Sequence, residues 1–329
     1  MSGEHFGSAE VRRVADVACD VRLLELVPCA GVRPYQAGSH IDVAVTIDGL
    51  PDTRSYSLVG ERPHDGAYRI AVKEVPDSRG GSVLMRSLAP GSEIAISEPR
   101  SHFELGFDRP EYLLLAGGIG ITPLVGMAQL LARQQRPFRL LYAAGRREQL
   151  AFADELGELL GERLELFISA EGRRLALDRE IARLDRDGEL YLCGPLRLRE
   201  AARQAWSACG RRPDRLRFET FASGGRFVPA EFVVRLADQA GREVLVPRNR
   251  TMLDALREQG IELMSDCRRG ECGLCSVNVL AHDCELDHRD VFLSDAEQAE
   301  GATMLACVSR AAGGVVTIDS GFRSDPPRA

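Results

Sequence analysis

Four cysteines near the C-terminus, Cys267, Cys272, Cys275 and Cys307, follow the spacing C-x4-C-x2-C with a fourth thiol well downstream. This is the thiolate pattern of a plant-type [2Fe-2S] cluster, in which two irons need four thiolates. Three of them come from one tight loop, SDCRRGECGLC, where Gly270 and Gly273 let the chain wrap closely. A structural zinc site is the competing reading of clustered cysteines. Zinc sites usually pair two C-x2-C knuckles, whereas here the first interval is four residues and Cys307 has no cysteine or histidine beside it. Cys284 competes for the fourth position. It lies nine residues after Cys275 in the polar run AHDCELDH, while Cys307 lies in MLACVS, an apolar run suited to burial against a cluster. Cys284 is therefore read as a bystander and the chain as an electron carrier.

Two further groups of residues suit phosphate-bearing ligands. Arg54-Ser55-Tyr56-Ser57 places an arginine for a phosphate, an aromatic for a ring and a hydroxyl for a polar ring edge side by side at a strand end. Ala71-Val72-Lys73 closes another strand, and Lys73 is the only lysine in a chain that otherwise uses arginine. Ser78-Arg79-Gly80-Gly81-Ser82 then opens a helix whose first N–H groups suit an anion. Farther on, Gly117-Gly118-Ile119-Gly120-Ile121-Thr122-Pro123 joins a strand to a helix. Its three glycines permit close approach by a pyrophosphate, with the helix dipole favouring the charge. The run lacks the G-x-G-x-x-G fingerprint and by itself also suits a ligand-free turn. Tyr191-Leu192-Cys193-Gly194-Pro195 ends a later strand, and two glycine turns on one sheet edge point to a nucleotide cleft.

The elements that position these motifs fall into three domains. Residues 1–107 alternate over short runs such as HIDVAVTI, YRIAVKEV and EIAISEP between Gly, Pro and Asp turns, the pattern of an antiparallel barrel or sandwich. Residues 108–224 alternate apolar runs (YLLLAGG, FRLLYAAG, LELFIS, ELYLCGP) with helical ones, an α/β unit with a parallel sheet. Residues 225–230 are read as a linker and 231–329 as the cysteine-bearing domain. There FVVRLADQAGREVLVP reads as a hairpin, and Thr251 with Asp254 as a capping box.

Composition agrees. A chain of 329 residues is long for one core. Nine cysteines without paired spacing speak for a reducing cytoplasm rather than a disulfide framework. The N-terminal run MSGEHFGSAEVRRVADV lacks the pattern of a secretory signal. Gly117, Gly118, Gly120 and Pro123 break the uncharged stretch from Tyr112 to Ala132, so no membrane span is expected. No basic stretch with interleaved aromatics suggests nucleic acid. From Glu231 onward the chain has 17 acidic and 11 basic residues, which accounts for -6 of the net -7. Such an acidic face steers docking to a basic partner or simply confers solubility.

R-S-Y-S, G-G-I-G-I-T-P and C-G-P, in this order, resemble the ferredoxin-NADP+ reductase superfamily. With a plant-type cluster motif after them, the chain resembles the phthalate dioxygenase reductase family, including vanillate O-demethylase reductase components. The resemblance spans essentially the whole length. It implies an antiparallel β-barrel flavin domain, a parallel-sheet NAD(P) domain and a C-terminal α+β β-grasp ferredoxin domain. It implies that Arg54, Tyr56 and Ser57 hold the flavin, with Ala71, Lys73, Arg79, Gly80, Gly81 and Ser82 completing the pocket around its phosphate. FMN is the flavin implied, with FAD open because R-x-Y-S serves both. Gly117, Gly118, Gly120, Thr122 and Pro123 would line the nicotinamide nucleotide site opposite Cys193, Gly194 and Pro195. Phe221, in Glu219-Thr220-Phe221, would cover the flavin. Ala144-Gly145-Arg146-Arg147 departs from the family pattern: these arginines suit a ribose 2'-phosphate, or Arg146 a phosphate common to both nucleotides, and NADH is favoured over NADPH. No acid or base is implied. Nicotinamide releases electrons in pairs and a cluster takes them singly, so a flavin converts between them. Plant-type clusters at about -400 mV lie below Rieske centres at roughly -150 to +300 mV. The expected partner is a Rieske-type oxygenase or demethylase acting on an aromatic compound, with a cytochrome P450 as the alternative. The chain is expected to act as a cytoplasmic monomer.

Overall fold

The computed structural model describes residues 6–47, 49–74, 81–221 and 225–321. The chain divides into two compact units, Met1–Phe221 and Ala222–Ala329.

The first unit opens with β1 (Gly7–Ala18), β2 (Val21–Pro28), β3 (His40–Ile47), β4 (Leu50–Ser57), β5 (Tyr68–Lys73), α1 (Gly81–Ser87) and β6 (Glu93–Ile96). They form a six-stranded antiparallel sheet in the order β4-β3-β6-β1-β2-β5. Its two edges meet just after β4: Leu58 bridges Ile70, and the Val59 N–H donates to the Arg69 carbonyl at 2.8 Å. These contacts join the two ends of the sheet at one corner and curl it into a barrel-like shape. Alternation sends Val11, Leu24, Leu26, Ile41, Val43 and Ile70 inward, and Met85 of α1 joins the same core.

The unit continues with β7 (Tyr112–Gly117), α2 (Ile121–Arg133), β8 (Phe138–Ala144), α3 (Ala153–Leu160), β9 (Leu164–Ile168), α4 (Leu177–Arg183), β10 (Glu189–Cys193), α5 (Leu196–Ala208) and β11 (Leu216–Glu219). The five strands are all parallel, in the order β11-β10-β7-β8-β9. Every residue of β7 and β10 is buried, as expected of strands covered by helices on both faces. β11 is a strand that the sequence pattern did not reveal. The chain steps from β7 out to β9, then returns to β10 on the other side of β7. This reversal between β7 and β10 is the topological switch point, where open parallel sheets bind ligands.

α2 lies against the barrel. A Cβ on Gly126 would stand 2.3 Å from the Gly60 carbonyl oxygen. Alanine normally helps a helix by about 1 kcal/mol over glycine. Here the clash with backbone should outweigh that gain and cost about 2 kcal/mol net. Gly126→Ala is expected to lower the melting temperature of this unit by roughly 5 °C, readable by calorimetry. An unchanged melting temperature would mean that helix and turn separate at no cost.

The second unit contains β12 (Phe232–Leu236), β13 (Arg242–Val246), α6 (Met252–Glu258), β14 (Ser276–His282), β15 (Leu286–Asp287), α7 (Asp295–Glu300), β16 (Thr303–Leu305), β17 (Arg310–Ala311) and β18 (Val315–Asp319). β13-β12-β18-β14-β16 form a mixed sheet in which β12 and β18 are the parallel pair, and β15 pairs with β17. Met252, Leu253 and Leu256 of α6 pack with Phe232, Val234, Val246 and Ile318. The hairpin read from the sequence is β12 and β13. Thr251 caps α6 by accepting from the Asp254 N–H at 3.0 Å, but the expected reciprocal bond is replaced: the Asp254 carboxylate accepts instead from the Thr251 hydroxyl and from Arg257. The full capping box belongs to Ser294 and Glu297 at α7. A buried ion pair, Arg289 with Asp287 at 2.6 Å, fastens residues 225–227 to this unit: Asp287 also accepts from the Arg226 N–H, and Arg289 donates to the Phe227 carbonyl.

Candidate functional site

At the switch point the two glycine turns pack face to face. Cys193 lies in register with Ala116, so both turns leave adjacent strands at the same edge. A Cβ on Gly117 would meet Pro195 Cδ at 2.7 Å, and one on Gly120 would fall 2.1 Å from the Cys193 carbonyl oxygen. Gly118 has φ +55°, a conformation that strains other residues. Pro123 is accommodated because it sits in the first turn of α2, where its missing N–H has no partner to lose. Thr122 donates to the Ile119 carbonyl at 3.0 Å, which closes the turn. Gly117 and Gly120 thus let the two turns close on one another, and Gly118, whose added Cβ would meet only Lys73 Nζ, leaves bare backbone at a helix start, a cradle that suits a pyrophosphate.

The flavin motif assembles around the end of β4. The Arg54 guanidinium pairs with Asp52 at 2.8 Å and lies over Gly81, where an added Cβ would stand 2.6 Å from its Nε. Beside it the Ser82 hydroxyl is buried with no hydrogen-bond partner among the described residues, an unmet donor that fits a phosphate oxygen. Arg79 and Gly80 lie outside the described residues. Burial pushes the Tyr56 phenol up to about 12, against the pull of Arg54. Ser57 donates to the buried carboxylate of Glu219 at 3.2 Å, so the ends of β4 and β11 meet, with Thr220 buried and Phe221 exposed beyond them.

Lys73 occupies the ground between the two motifs. Its ammonium pairs with Asp20 at 3.3 Å and stands 3.8 Å from the Cβ position of Gly118. Asp20 also accepts from Gln149 Nε2 at 3.1 Å, and the Cys19 N–H donates to the Glu148 carbonyl. The β1–β2 turn is thereby tied to the segment that carries Arg146 and Arg147. Arg146 is exposed, while Arg147 is held by Glu171. Asp20, Gln149 and Glu171 were not picked out in the sequence, and Glu219 was named only as part of the segment that carries Phe221, because polar residues whose partners come from remote segments leave no local pattern.

In the second unit the four cysteines meet two by two. Cys267 faces Cys272, and Cys275 faces Cys307. The N–H groups of Arg269 and Glu271 point at Cys267 Sγ from 3.4 and 3.5 Å, an arrangement that favours a thiolate. Burial nevertheless pushes the Cys267 thiol up. The hydrogen bond from Cys307 draws Cys275 down to about 7, while Cys307 is pushed up by that neighbour and by burial. Gly270 and Gly273, at φ +73° and +77°, shape the loop, and an added Cβ would strike Val308 at the first and the Phe292 ring at the second. Cys284 packs instead against Gly314 and Val315. Two facing thiol pairs suit two irons better than one tetrahedral ion.

Three family models match the chain. The oxidoreductase FAD-binding domain covers residues 8–105, the oxidoreductase NAD-binding domain 114–204 and the 2Fe-2S iron-sulfur cluster binding domain 236–312. The chain is 39% identical over 319 residues to phenoxybenzoate dioxygenase subunit beta of Ectopseudomonas oleovorans, covering 95% of this chain and 97% of the relative. It superposes on the solved structure of phthalate dioxygenase reductase with a TM-score of 0.77 at 28% identity, covering 95% and 98% of the two chains. It is also similar to an intact type IV self-sufficient cytochrome P450 monooxygenase, with a TM-score of 0.68 at 36% identity over 95% of this chain. It spans only 41% of that larger protein. Its cofactors are a flavin, a nicotinamide nucleotide and a [2Fe-2S] cluster. With flavin, nucleotide and cluster domains in this order over its length, the chain belongs to the phthalate dioxygenase reductase family.

Proposed function

We propose that this chain is the reductase component of a two-component oxygenase or demethylase. It takes electrons from NADH through FMN and the [2Fe-2S] cluster to a Rieske-type terminal oxygenase that acts on an aromatic compound. The observation that carries this reading is the joining, in one chain, of a glycine-lined nucleotide cleft, a flavin pocket and two facing thiol pairs. A chain that only sensed redox state with its cluster would have no use for the first two.

When bound, nicotinamide delivers electrons in pairs, flavin divides them and the cluster passes them on singly. The residues bind and orient. Gly117, Gly118 and Gly120 would line the nucleotide site, with Cys193, Gly194 and Pro195 packed opposite. Arg54 with Ser82 holds the flavin phosphate. Tyr56 and Phe221 would hold the flavin ring, and Glu219 accepts from the Ser57 hydroxyl and so orients it. Lys73 stands close enough to Gly118 to serve the nucleotide as well as the flavin. Cys267, Cys272, Cys275 and Cys307 would hold the cluster as thiolates, in the two neighbouring pairs described above.

The likeness to a self-sufficient P450 favours a second reading, in which the acceptor is a cytochrome P450. None of the nine cysteines forms a disulfide, which supports a cytoplasmic setting. Among the described residues no helix is long and apolar enough to cross a membrane. One chain carries the whole electron path, which supports a monomer built as domains 1–107, 108–224 and 231–329.

An anaerobic visible spectrum tests the proposal. Flavin bands and a broad red-brown cluster absorbance should both bleach on adding NADH. A colourless protein that contains zinc, or a flavin that no nicotinamide nucleotide reduces, would overturn it. Turnover when the chain is mixed with a Rieske oxygenase, against turnover with a P450, separates the two acceptors.

A further inference from the structure

We infer that Glu171 sets the choice between NADH and NADPH by holding Arg147 in a two-pronged ion pair at the ribose corner of the cleft. The inference rests on the nucleotide-binding reading above.

Arg147 follows β8 and Glu171 follows β9, neighbouring strands of the parallel sheet. The two segments are tied by the Ala170 N–H, which donates to the Gly145 carbonyl at 3.0 Å. Arg147 Nε donates to Glu171 Oε1 and its Nη2 to Oε2, both at 2.8 Å. This paired geometry is the one a guanidinium also offers a phosphate. Arg147 pulls the Glu171 carboxyl below its usual range, with Arg173 adding to the effect, so the group stays ionised at neutral pH.

In open parallel sheets the adenosine ribose reaches the end of the strand beside the one that carries the glycine turn. That strand is β8, next to β7. A 2'-hydroxyl needs a hydrogen-bond acceptor, and the Glu171 carboxylate is in place. A 2'-phosphate needs a free cation, and with Arg147 committed the exposed Arg146 beside it is left to supply one, while the incoming dianion would face the Glu171 carboxylate. An exposed ion pair is worth little by itself, so the discrimination lies in the like-charge contact and in the occupied fork.

Glu171→Gln keeps the size of the side chain and removes its charge. The ratio of kcat/KM for NADPH over NADH should rise about tenfold, mainly through a lower KM for NADPH, and the gain should shrink with added salt. Arg147→Ala in the same background should erase the gain. Calorimetry gives a readout independent of turnover: adenosine 2',5'-bisphosphate should bind the Glu171→Gln holoprotein more tightly than the parent, with AMP changing little by comparison. An unchanged nucleotide ratio and unchanged bisphosphate affinity, in a protein that NADH still reduces, would overturn the role of Glu171. A parent protein reduced by neither nucleotide would instead overturn the reading on which it rests.

Discussion

Replacing Cys272 with serine is expected to lower NADH-dependent cytochrome c reduction more than about a hundredfold while sparing ferricyanide reduction, since even outer partners of a metal site cost 10–100-fold. A ligand must be deprotonated, and a serine hydroxyl stays protonated at neutral pH, so one iron loses half of its protein ligands. Cys272 is the best of the four to change. It is only half buried, whereas Cys275 and Cys307 lie in the core of the second unit, where their replacement would also disturb packing. Ferricyanide takes electrons from the flavin directly, so its reduction reports on the first unit alone. Equal loss of both activities would mean that the cluster is structural or that electrons leave by another order.

Gly120→Ala should have the second largest effect, on the reaction with NADH. Gly120 has φ -62° and ψ -3°, torsions that alanine adopts freely, so backbone strain plays no part. The difficulty is space. The new methyl would stand 2.1 Å from the Cys193 carbonyl oxygen, 2.4 Å from its carbon and 2.8 Å from the Gly194 nitrogen. All three are backbone, and they can yield only if the two turns that frame the cleft move apart. A shift of about 1 Å at a positioning site costs on the order of a hundredfold in rate, and that loss is expected in kcat/KM for NADH. Stopped-flow flavin reduction checks it, with dithionite as the control reductant: the flavin and cluster bands should persist and still bleach with dithionite. Gly157→Ala provides the comparison, because its Cβ would meet nothing within 4 Å. Equal rates in the parent and the Gly120→Ala variant would show that the turns carry no nucleotide.

Much of the architecture was legible because it is written over short stretches of chain. The burial of β7 follows from its unbroken apolar run, whereas β10 also buries Glu189, and β3, which HIDVAVTI marks as alternating, is buried at four consecutive residues from His40 to Val43. The S-D-A-E signal at α7 was equally local and went unread. β11 was missed because four residues, LRFE, carry too little periodicity to mark a strand. Its consequence was larger than its length, since it delivers Glu219 to Ser57 across 162 positions of sequence.

The cysteine set and the glycine turns are properties of the covalent chain. Their residue types and spacing favour iron over zinc and suit a phosphate-bearing ligand, while a ligand-free glycine turn stays open before any folding is considered. Spacing could not say that the thiols meet as Cys267 with Cys272 and Cys275 with Cys307, nor that the lone Lys73 stands beside Gly118 and Asp20. Nor could it say that Arg147, which suits a 2'-phosphate in the sequence, is already held by Glu171 from the next strand. Each of these pairings depends on sheet order and on how turns from distant segments close on one another. A charge is free or committed according to its neighbours in space, and those neighbours exist only once the chain has folded.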